Sequence, residues 1–202
     1  MTSHGLFERI TRHLLEDKRP SEYLNEIYET EAFAQHPFDM LKKLKQTEQS
    51  PKYHPEGNVW KHTMLVVDEC AKQRNNSKDK AVIMWASLLH DIGKPQTTRV
   101  INGRITSYDH DIAGAELSNQ FLECLTQDKQ FINKVSMLTR YHMHILYVAK
   151  NLPYGDKKSM KIDTDIDELA ILGLADRLGR GKCNFEKEKK NIAVFIEKSK
   201  KF

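Results

Sequence analysis

Histidines and acidic residues dominate the part of this chain whose side chains could do chemistry. Six of its nine histidines fall within one stretch of about 90 residues: His54, His62, His90, His110, His142 and His144. Asp91, Asp109 and Asp111 lie beside two of these histidines, and Asp176 follows later in the chain. Imidazole and carboxylate groups are common protein ligands of divalent metals. The grouping therefore indicates a metal site.

The adjacent pair His90-Asp91 follows a segment, residues 81–89, that is apolar or small throughout. Such a segment predicts a buried helix, with Asp79 as its N-cap and with Gly93 and Pro95 ending it. A charged carboxylate at the end of a buried helix loses hydration at a cost of several kcal/mol unless a positive group compensates. A divalent cation would compensate. A helix-end pair that makes caps and surface contacts remains the alternative on this fragment alone.

His62 and Asp176 have similar surroundings. His62 lies in the first turn of a helix predicted to begin at Trp60, and Asp176 follows the apolar run LGLA. The helix that carries Asp176 is predicted over 164–178, with Thr164 as its N-cap. Each residue alone is better explained as a satisfied polar side chain. Together with the previous pair, however, three predicted helices each place a ligand-type side chain at a core-facing end.

A site made of His62, His90, Asp91 and Asp176 has two imidazoles and two carboxylates. This donor set suits Mn, Fe, Co or Mg better than Zn. An octahedral ion with four protein ligands keeps positions for water and a substrate oxygen, acidifies the water and offsets charge on a phosphoryl group. Asp91 would hold the metal and help to orient the water. Lys94 could add a mobile cation for phosphate, or it could be a helix-end lysine facing solvent.

The elements that must position these residues are predicted to be helical. Besides the helices above, the spacing of apolar residues predicts helices over 5–17, 110–126, 130–149 and 184–200. Asn102-Gly103 fits the type I′ turn of a short β-hairpin near 99–107. Two strands alone are marginally stable, so the hairpin is an excursion from a helical body. The predicted fold class is all-α.

The composition of the chain limits the possible classes of function but does not select one of them. The 202 residues are 39% hydrophobic and 30% charged, as in ordinary globular proteins. The net charge of +4 permits an anionic substrate or RNA but indicates neither. No apolar run approaches the roughly 18 residues of a membrane span, and the first residues lack a secretory signal, so a cytoplasmic protein is expected. Cys70, Cys124 and Cys183 form no CxxC pair, which argues against a disulfide framework or a cysteine zinc site.

The order His62, His90-Asp91, Asp176 resembles the H…HD…D signature of the HD superfamily of metal-dependent phosphohydrolases. Five further blocks are similar to the HD domain of bacterial tRNA nucleotidyltransferases: PKYHPEGNVWKHTMLVVDEC, SLLHDIGKPQTT, GRITSYDHDIAGAEL, RYHMH and LGLADRLGRG. Together they cover roughly residues 37–181. The resemblance implies an HD-domain helical bundle with ligands at helix ends. We expect one compact unit over 37–202, with a helical extension over 1–36 packed against it.

The resemblance adds two ligands to the predicted site. His110 and His142 match the additional histidines of HD proteins that hold two metals, and Asp91 would then bridge ions about 3.5–4 Å apart. His144 competes with His142, because two residues apart on one helix they would point about 200° apart. One or two divalent ions are expected.

The sequence also lacks several motifs that are typical of other HD proteins. No Gly-Ser pair followed by Asp-x-Asp precedes the domain, so CCA addition is not expected. The Gly-Tyr-Pro signature of cyclic-di-GMP phosphodiesterases and the Glu-Asp pair of alarmone hydrolases are both missing. The expected function is a phosphatase or phosphodiesterase that acts on a small nucleotide or an RNA-end phosphate through metal-activated water. The alternative is a non-catalytic HD module that binds metal, nucleotide or RNA. The oligomeric state stays open.

Overall fold

A computed structural model describes residues 2–181 and 183–201, and it is helical apart from one hairpin. The elements are α1 (Ser3–Glu16), α2 (Pro20–Tyr28), α3 (Asp39–Lys42), α4 (Val59–Gln73), α5 (Lys80–Leu89), α6 (Lys94–Thr97), β1 (Thr98–Ile101), β2 (Arg104–Ser107), α7 (His110–Glu123), α8 (Lys129–Tyr141), α9 (His144–Ala149), α10 (Lys157–Asp163), α11 (Ile166–Leu178) and α12 (Phe185–Ser199). Short 3-10 turns cover Ala32–Ala34, Lys43–Gln46 and Arg74–Asn76. The predicted all-α fold with a short hairpin is confirmed.

Helix α5 forms the centre of the bundle, and α1, α4, α8 and α11 pack around it. Every residue from Val82 to Leu89 is buried, as expected for a helix that is apolar nearly all round. Asp79 caps its first turn by accepting a hydrogen bond from the Val82 amide, as predicted. The indole of Trp85 is fully buried and donates to the Thr11 hydroxyl at 3.0 Å. The central helix is therefore fixed to its neighbours by packing and by a satisfied polar contact.

The N-terminal helices pack on this body through a regular apolar face. Leu6, Ile10 and Leu14 of α1, spaced four residues apart, are fully buried. The hydroxyl of Ser21 in α2 donates to Oδ2 of Asp68 in α4 at 2.7 Å. Both helices thus join the same core as the rest of the bundle.

The end of α5 differs from the prediction. The helix ends at Leu89 rather than at Gly93, and residues 94–97 form a further helical turn. Pro95 lies in the first turn of that helix, where its missing N–H leaves no broken hydrogen bond. Gly93 serves close packing: a Cβ there would lie 2.2 Å from the carbonyl oxygen of His110 and 2.6 Å from the amide nitrogen of Gly114.

Two other predicted boundaries are wrong. The helix predicted over 130–149 is interrupted at residues 142–143, which separates α8 from α9. Thr164 flanks the end of α10 instead of capping α11. Asp165 caps α11, because its Oδ1 accepts from the amides of the next turn at 2.9 and 3.3 Å. The charged side chain of Asp165, one residue later, therefore caps the helix in place of Thr164.

The hairpin has the predicted turn. Ile101 pairs with Arg104, and Asn102 and Gly103 have φ values of 50° and 71°. Positive φ at both positions is what a type I′ turn requires. Across residues 2–181 and 183–201, none of the helices combines the length and apolarity that crossing a bilayer takes.

Candidate metal centre

The six predicted ligands converge on one buried region. His62 comes from α4, His90 and Asp91 from the end of α5, and Asp176 from α11, while the other two ligands begin α7 and follow α8. None of the six is more than 8% exposed. Five stretches of chain thus meet at a single point in the bundle.

Asp91 lies at the centre of this group, with one carboxylate oxygen turned to each side. Its Oδ2 lies 3.2 Å from Nε2 of His90 and 3.8 Å from Nε2 of His62. Its Oδ1 lies 3.5 Å from Nε2 of His110 and 3.8 Å from Nε2 of His142. We call the group on the Oδ2 side, completed by Asp176, the first half-site: His62, His90, Asp91 and Asp176. The second half-site is Asp91, His110 and His142.

Contacts within each half-site are equally short. Nε2 of His62 lies 3.1 Å from Oδ1 of Asp176, and the Nε2 atoms of His110 and His142 lie 3.2 Å apart. Adjacent ligands of an octahedral ion with bonds of about 2.1 Å are separated by about 3 Å. The donor atoms of His62, His90 and Asp91 lie within 4.8 Å of one another, as do those of Asp91, His110 and His142, so each group could share an ion. Asp176 joins the first group through its contact with His62.

Three of the imidazoles are oriented by the backbone. The Nδ1 atoms of His90, His110 and His142 lie 2.6–2.8 Å from the carbonyl oxygen three residues earlier. A nitrogen that faces a carbonyl carries the proton, so the opposite atom, Nε2, keeps the lone pair. This arrangement is the usual second-layer support of metal-bound histidine.

Buried atoms without hydrogen bonds mark the same place. Within residues 2–181 and 183–201, Nε2 of His90 and Oδ2 of Asp91 have no hydrogen-bond partner. The ammonium of Lys94 lies 2.7 Å from that Oδ2, as an ion pair without hydrogen-bond alignment, and it donates instead to Oε1 of Gln49 at 2.6 Å. Buried polar atoms are costly unless they are satisfied. A divalent ion would satisfy both of them, so the residues fit such an ion.

The carboxylates of the centre are held in their charged form. Burial alone would raise the pKa of Asp91, but His90 and Lys94 hold that pKa well below its usual value. Burial also opposes ionisation of Asp176, while Arg180 and His62 hold its pKa well below the usual range. The guanidinium of Arg180 donates to Oδ2 of Asp176 at 3.0 Å. Both carboxyl groups are thus ready to bind a cation.

The imidazoles of the second half-site are held neutral. Burial lowers the pKa of His110 to about 4, and it lowers the pKa of His142 in the same direction. His62 differs: burial lowers its pKa, but the hydrogen bond that its Nε2 donates to Asp176 in the ion-free protein and the nearby carboxylate of Glu56 more than offset this and raise it. Neutral imidazole is the form that binds metals.

A cavity of about 520 Å³ opens over the centre. Its wall includes the cationic side chains of Lys94, Lys150, Arg177 and Arg180. Apolar side chains such as Leu146 line another part, and Tyr53 lies at the wall with a ring that is largely exposed. Ligand pockets typically have about 300–1,000 Å³. The cavity can therefore hold an anion of nucleotide size.

The two neighbouring histidines after α8 point in different directions. His142 points into the centre, and His144 packs instead against Tyr141 and Tyr147, with ring centroids 4.9 and 5.5 Å apart. Both ring nitrogens of His144 are buried, and neither has a hydrogen-bond partner in the part of the chain that the structure describes. His144 is therefore a packed side chain outside the centre.

From the sequence, His54 was named only as one of six clustered histidines, and Glu56 was not named. Oε1 of Glu56 lies 2.8 Å from Nδ1 of His54 and 2.8 Å from Nδ1 of His62. The signal that indicates them is the run His-Pro-Glu-Gly, which has the Pro and Gly of a tight turn directly before the helix that carries His62.

The sequence matches the HD domain family over residues 33–181. A multifunctional CCA protein of Actinobacillus pleuropneumoniae is 33% identical over 120 residues, which are 57% of this chain and 27% of that protein. An A-adding tRNA nucleotidyltransferase of Deinococcus radiodurans is 31% identical over 136 residues, 64% of this chain and 30% of that protein. A multifunctional CCA protein of Mannheimia succiniciproducens is 25% identical over 186 residues, 87% of this chain and 42% of that protein. In each case less than half of the relative is covered.

Proposed function

Because the chain belongs to the HD domain family, which is a superfamily of metal-dependent phosphohydrolases, we propose that it hydrolyses a phosphate ester at this centre. The observation that carries the proposal is the position of Asp91, whose two carboxylate oxygens face two separate sets of imidazole Nε2 atoms. The proposed metal ligands are the members of both half-sites: His62, His90, Asp91, His110, His142 and Asp176.

Two divalent ions, of Mn, Fe, Co or Mg rather than Zn, would occupy the half-sites. Ions held there would supply a lowered pKa for bound water and positive charge opposite a phosphoryl group. The chain's own part is to hold Asp91 ionised between the half-sites and to keep the Nε2 lone pairs turned inward. Burial of all six ligands restricts the access of bulk water. Low local polarity strengthens each of these charge interactions.

The cationic wall of the cavity supports a phosphate ligand. The ammonium of Lys94 lies directly over Asp91 and would turn to the phosphate once ions neutralise that carboxylate. Lys150, Arg177 and Arg180 line the same cavity and provide charge for a second anionic group. These features fit a nucleotide or an RNA end. The name of the Deinococcus radiodurans relative, which refers to tRNA, supports the RNA end.

Metal analysis and substrate assays test this function. Purified protein is expected to bind divalent ions and to hydrolyse members of a panel of nucleoside monophosphates and cyclic phosphodiesters in Mn²⁺. Asp91→Asn should lower kcat/KM by about 10²- to 10³-fold, as expected when a preorganised charge is removed. Asp109→Asn is the matched control, because Asp109 is exposed and its φ of 58° is one that asparagine tolerates.

Three outcomes would contradict the proposal. They are a wild-type protein that takes up no divalent ion, activity that survives Asp91→Asn, and equal losses in Asp91→Asn and Asp109→Asn. Binding of a nucleotide without turnover in Mn²⁺ would identify the chain as a non-catalytic binding module.

A further inference from the structure

One carboxylate oxygen of Glu56 contacts two imidazoles. Nδ1 of His54 and Nδ1 of His62 each lie 2.8 Å from Oε1, and the Glu56 side chain is only 4% exposed. The Nδ1–H of His54 donates a hydrogen bond to this oxygen, whereas Nδ1 of His62 contacts it as an ion pair without hydrogen-bond alignment. Because a carboxylate oxygen has two lone pairs, a small rotation of the His62 ring would let that oxygen accept from both N–H groups. In that arrangement both rings carry their proton on Nδ1, and both keep the lone pair on Nε2.

The turn that carries Glu56 is held in place by its neighbours. The amide of Gly57 donates to the carbonyl of His54 at 3.2 Å, with Pro55 at the second position of the turn. Gly57 has a φ of +115°, which other residues rarely adopt, and the side-chain Nε2 of Gln49 donates to its carbonyl at 3.2 Å. The carboxylate of Glu56 is thus placed by a defined backbone rather than by a free loop.

His62 needs a side-chain partner that the other ligands do not need. His90 and His142 cap the ends of their helices, where carbonyl oxygens are free to accept from Nδ1. His62 lies inside α4, where helical amides occupy the backbone carbonyls. Glu56 takes the place of the missing carbonyl and turns Nε2 of His62 toward Asp176.

The second imidazole lies on the cavity side. His54 lines the cavity, its ring packs edge-on against that of His62 at 4.7 Å, and its side chain is 11% exposed. Because Nδ1 faces Glu56, Nε2 is the ring nitrogen that remains for a ligand. The other polar groups around it include the cations Lys94 and Arg180. A ligand held there by its phosphate would find in His54 an acceptor for a hydroxyl group.

We infer that Glu56 is a positioning residue shared by the metal centre and the cavity. It holds His62 so that Nε2 faces the ion, and it holds His54 so that Nε2 accepts a hydrogen bond from a hydroxyl group of the bound nucleotide or RNA end. This inference rests on the proposed function, because it assumes that the first half-site binds a divalent ion.

Metal affinity tests the first part without an activity assay. Mn²⁺ affinity is measured by competition with a chelating dye. Glu56→Gln is expected to bind Mn²⁺ about 10- to 100-fold more weakly than wild type, the usual loss when the partner of a metal-bound histidine is removed. Glu116→Gln, the same change at an exposed residue of α7, should bind as wild type does. His54→Phe should retain nearly wild-type affinity, since Glu56 still holds His62, and should raise KM for the phosphate ester several-fold.

A tautomer measurement on wild-type protein needs no variant and so does not depend on how the variants fold. Long-range ¹H–¹⁵N spectra of protein loaded with Zn²⁺, a diamagnetic ion, should show His54 and His62 protonated at Nδ1. A residue with only a packing role would not set this tautomer.

The experiments distinguish failure of the proposed function from failure of the role proposed for Glu56 or His54. Wild-type protein that takes up no ion overturns the proposed function and this inference with it. Ion binding by wild type that is equally tight in a folded Glu56→Gln variant overturns only the role of Glu56, as does a proton on Nε2 of His62. An unchanged KM in His54→Phe overturns the role of His54.

Discussion

The ammonium group of Lys94 lies 2.7 Å from Oδ2 of Asp91, and the two side chains are only 9% and 2% exposed. Lys94 therefore supplies the positive charge that stabilises this buried carboxylate when no ion is bound. Removing one partner of a buried ion pair leaves the other without compensation. The pair links the stability of the metal-free protein to the residue proposed to bind phosphate.

Lys94→Met is expected to destabilise metal-free protein by roughly 3–5 kcal/mol, the usual cost of leaving a buried charge unpaired. The loss should shrink in saturating Mn²⁺, because the ions then neutralise Asp91. Urea unfolding with chelator and with Mn²⁺ measures both values. Lys61→Met, at an exposed position of α4, is the control. Equal losses with and without Mn²⁺ would contradict this account of the pair.

His142→Gln and His144→Gln form a matched pair for counting ions. Both histidines are buried, but only His142 contacts Asp91. We expect wild type and His144→Gln to hold two ions per chain, and His142→Gln to hold one, because the first half-site stays intact. Elemental analysis after gel filtration gives the ratio. If only the His144→Gln variant lost an ion, the assignment of His142 to the second half-site would be wrong.

Gly93→Ala should be far more harmful than Gly103→Ala. The new Cβ at residue 93 would meet two backbone atoms of α7 at 2.2 and 2.6 Å, which cannot give way without moving His110. Overpacking of this kind costs about 1–3 kcal/mol or more. At Gly103, with φ of +71°, no atom of the described residues lies within 4 Å of the new Cβ, so the left-handed backbone penalty of about 1–2 kcal/mol is the expected cost. Mn²⁺ affinity separates the two, since only the first variant should lose it.

Cys70 makes stability fall at high pH. Burial raises the pKa of its thiol to about 12, above the ordinary value of a cysteine. The neutral thiol therefore contributes stability fully below the unfolded pKa, and that contribution is lost as pH rises toward the folded pKa. From pH 9 to 11, wild type should lose up to about 1.4 kcal/mol per pH unit more than Cys70→Ala. Parallel curves from urea unfolding of the two proteins would show that this thiol ionises equally in both states.

The sequence was sufficient to predict that the candidate ligands beside apolar helix segments are buried. Burial of residues 82–89 forces Asp91 into the interior, so the carboxylate itself reveals the need for a cation. His62 and Asp176 were predicted on similar grounds. His110 was predicted only through family resemblance, because a histidine at a helix start has many ordinary explanations. Its place in the centre depends on the approach of α7 to Gly93, which is a tertiary contact.

The spacing of apolar residues could not predict where a helix is interrupted. One continuous helix would have made His142 and His144 mutually exclusive without choosing between them, and the interruption at 142–143 makes the choice. Glu56 was missed for another reason. It lies in a turn, where periodicity says nothing, and only the distances of 2.8 Å to two rings show what it does. At Thr164, a neighbouring carboxylate simply makes the better cap.

Because His90 and His142 bond to carbonyls of their own helix ends, each ring takes its direction from the chain just before it. One alanine inserted in the middle of α5 would rotate His90 and Asp91 together by about 100°. The geometry of His90 relative to Asp91 and the bond from His90 to its local carbonyl would be kept. Both side chains, however, would point away from the other four candidate ligands. The orientation of each ring is thus set by the backbone next to it, while the convergence of the candidate ligands depends on the length of each helix.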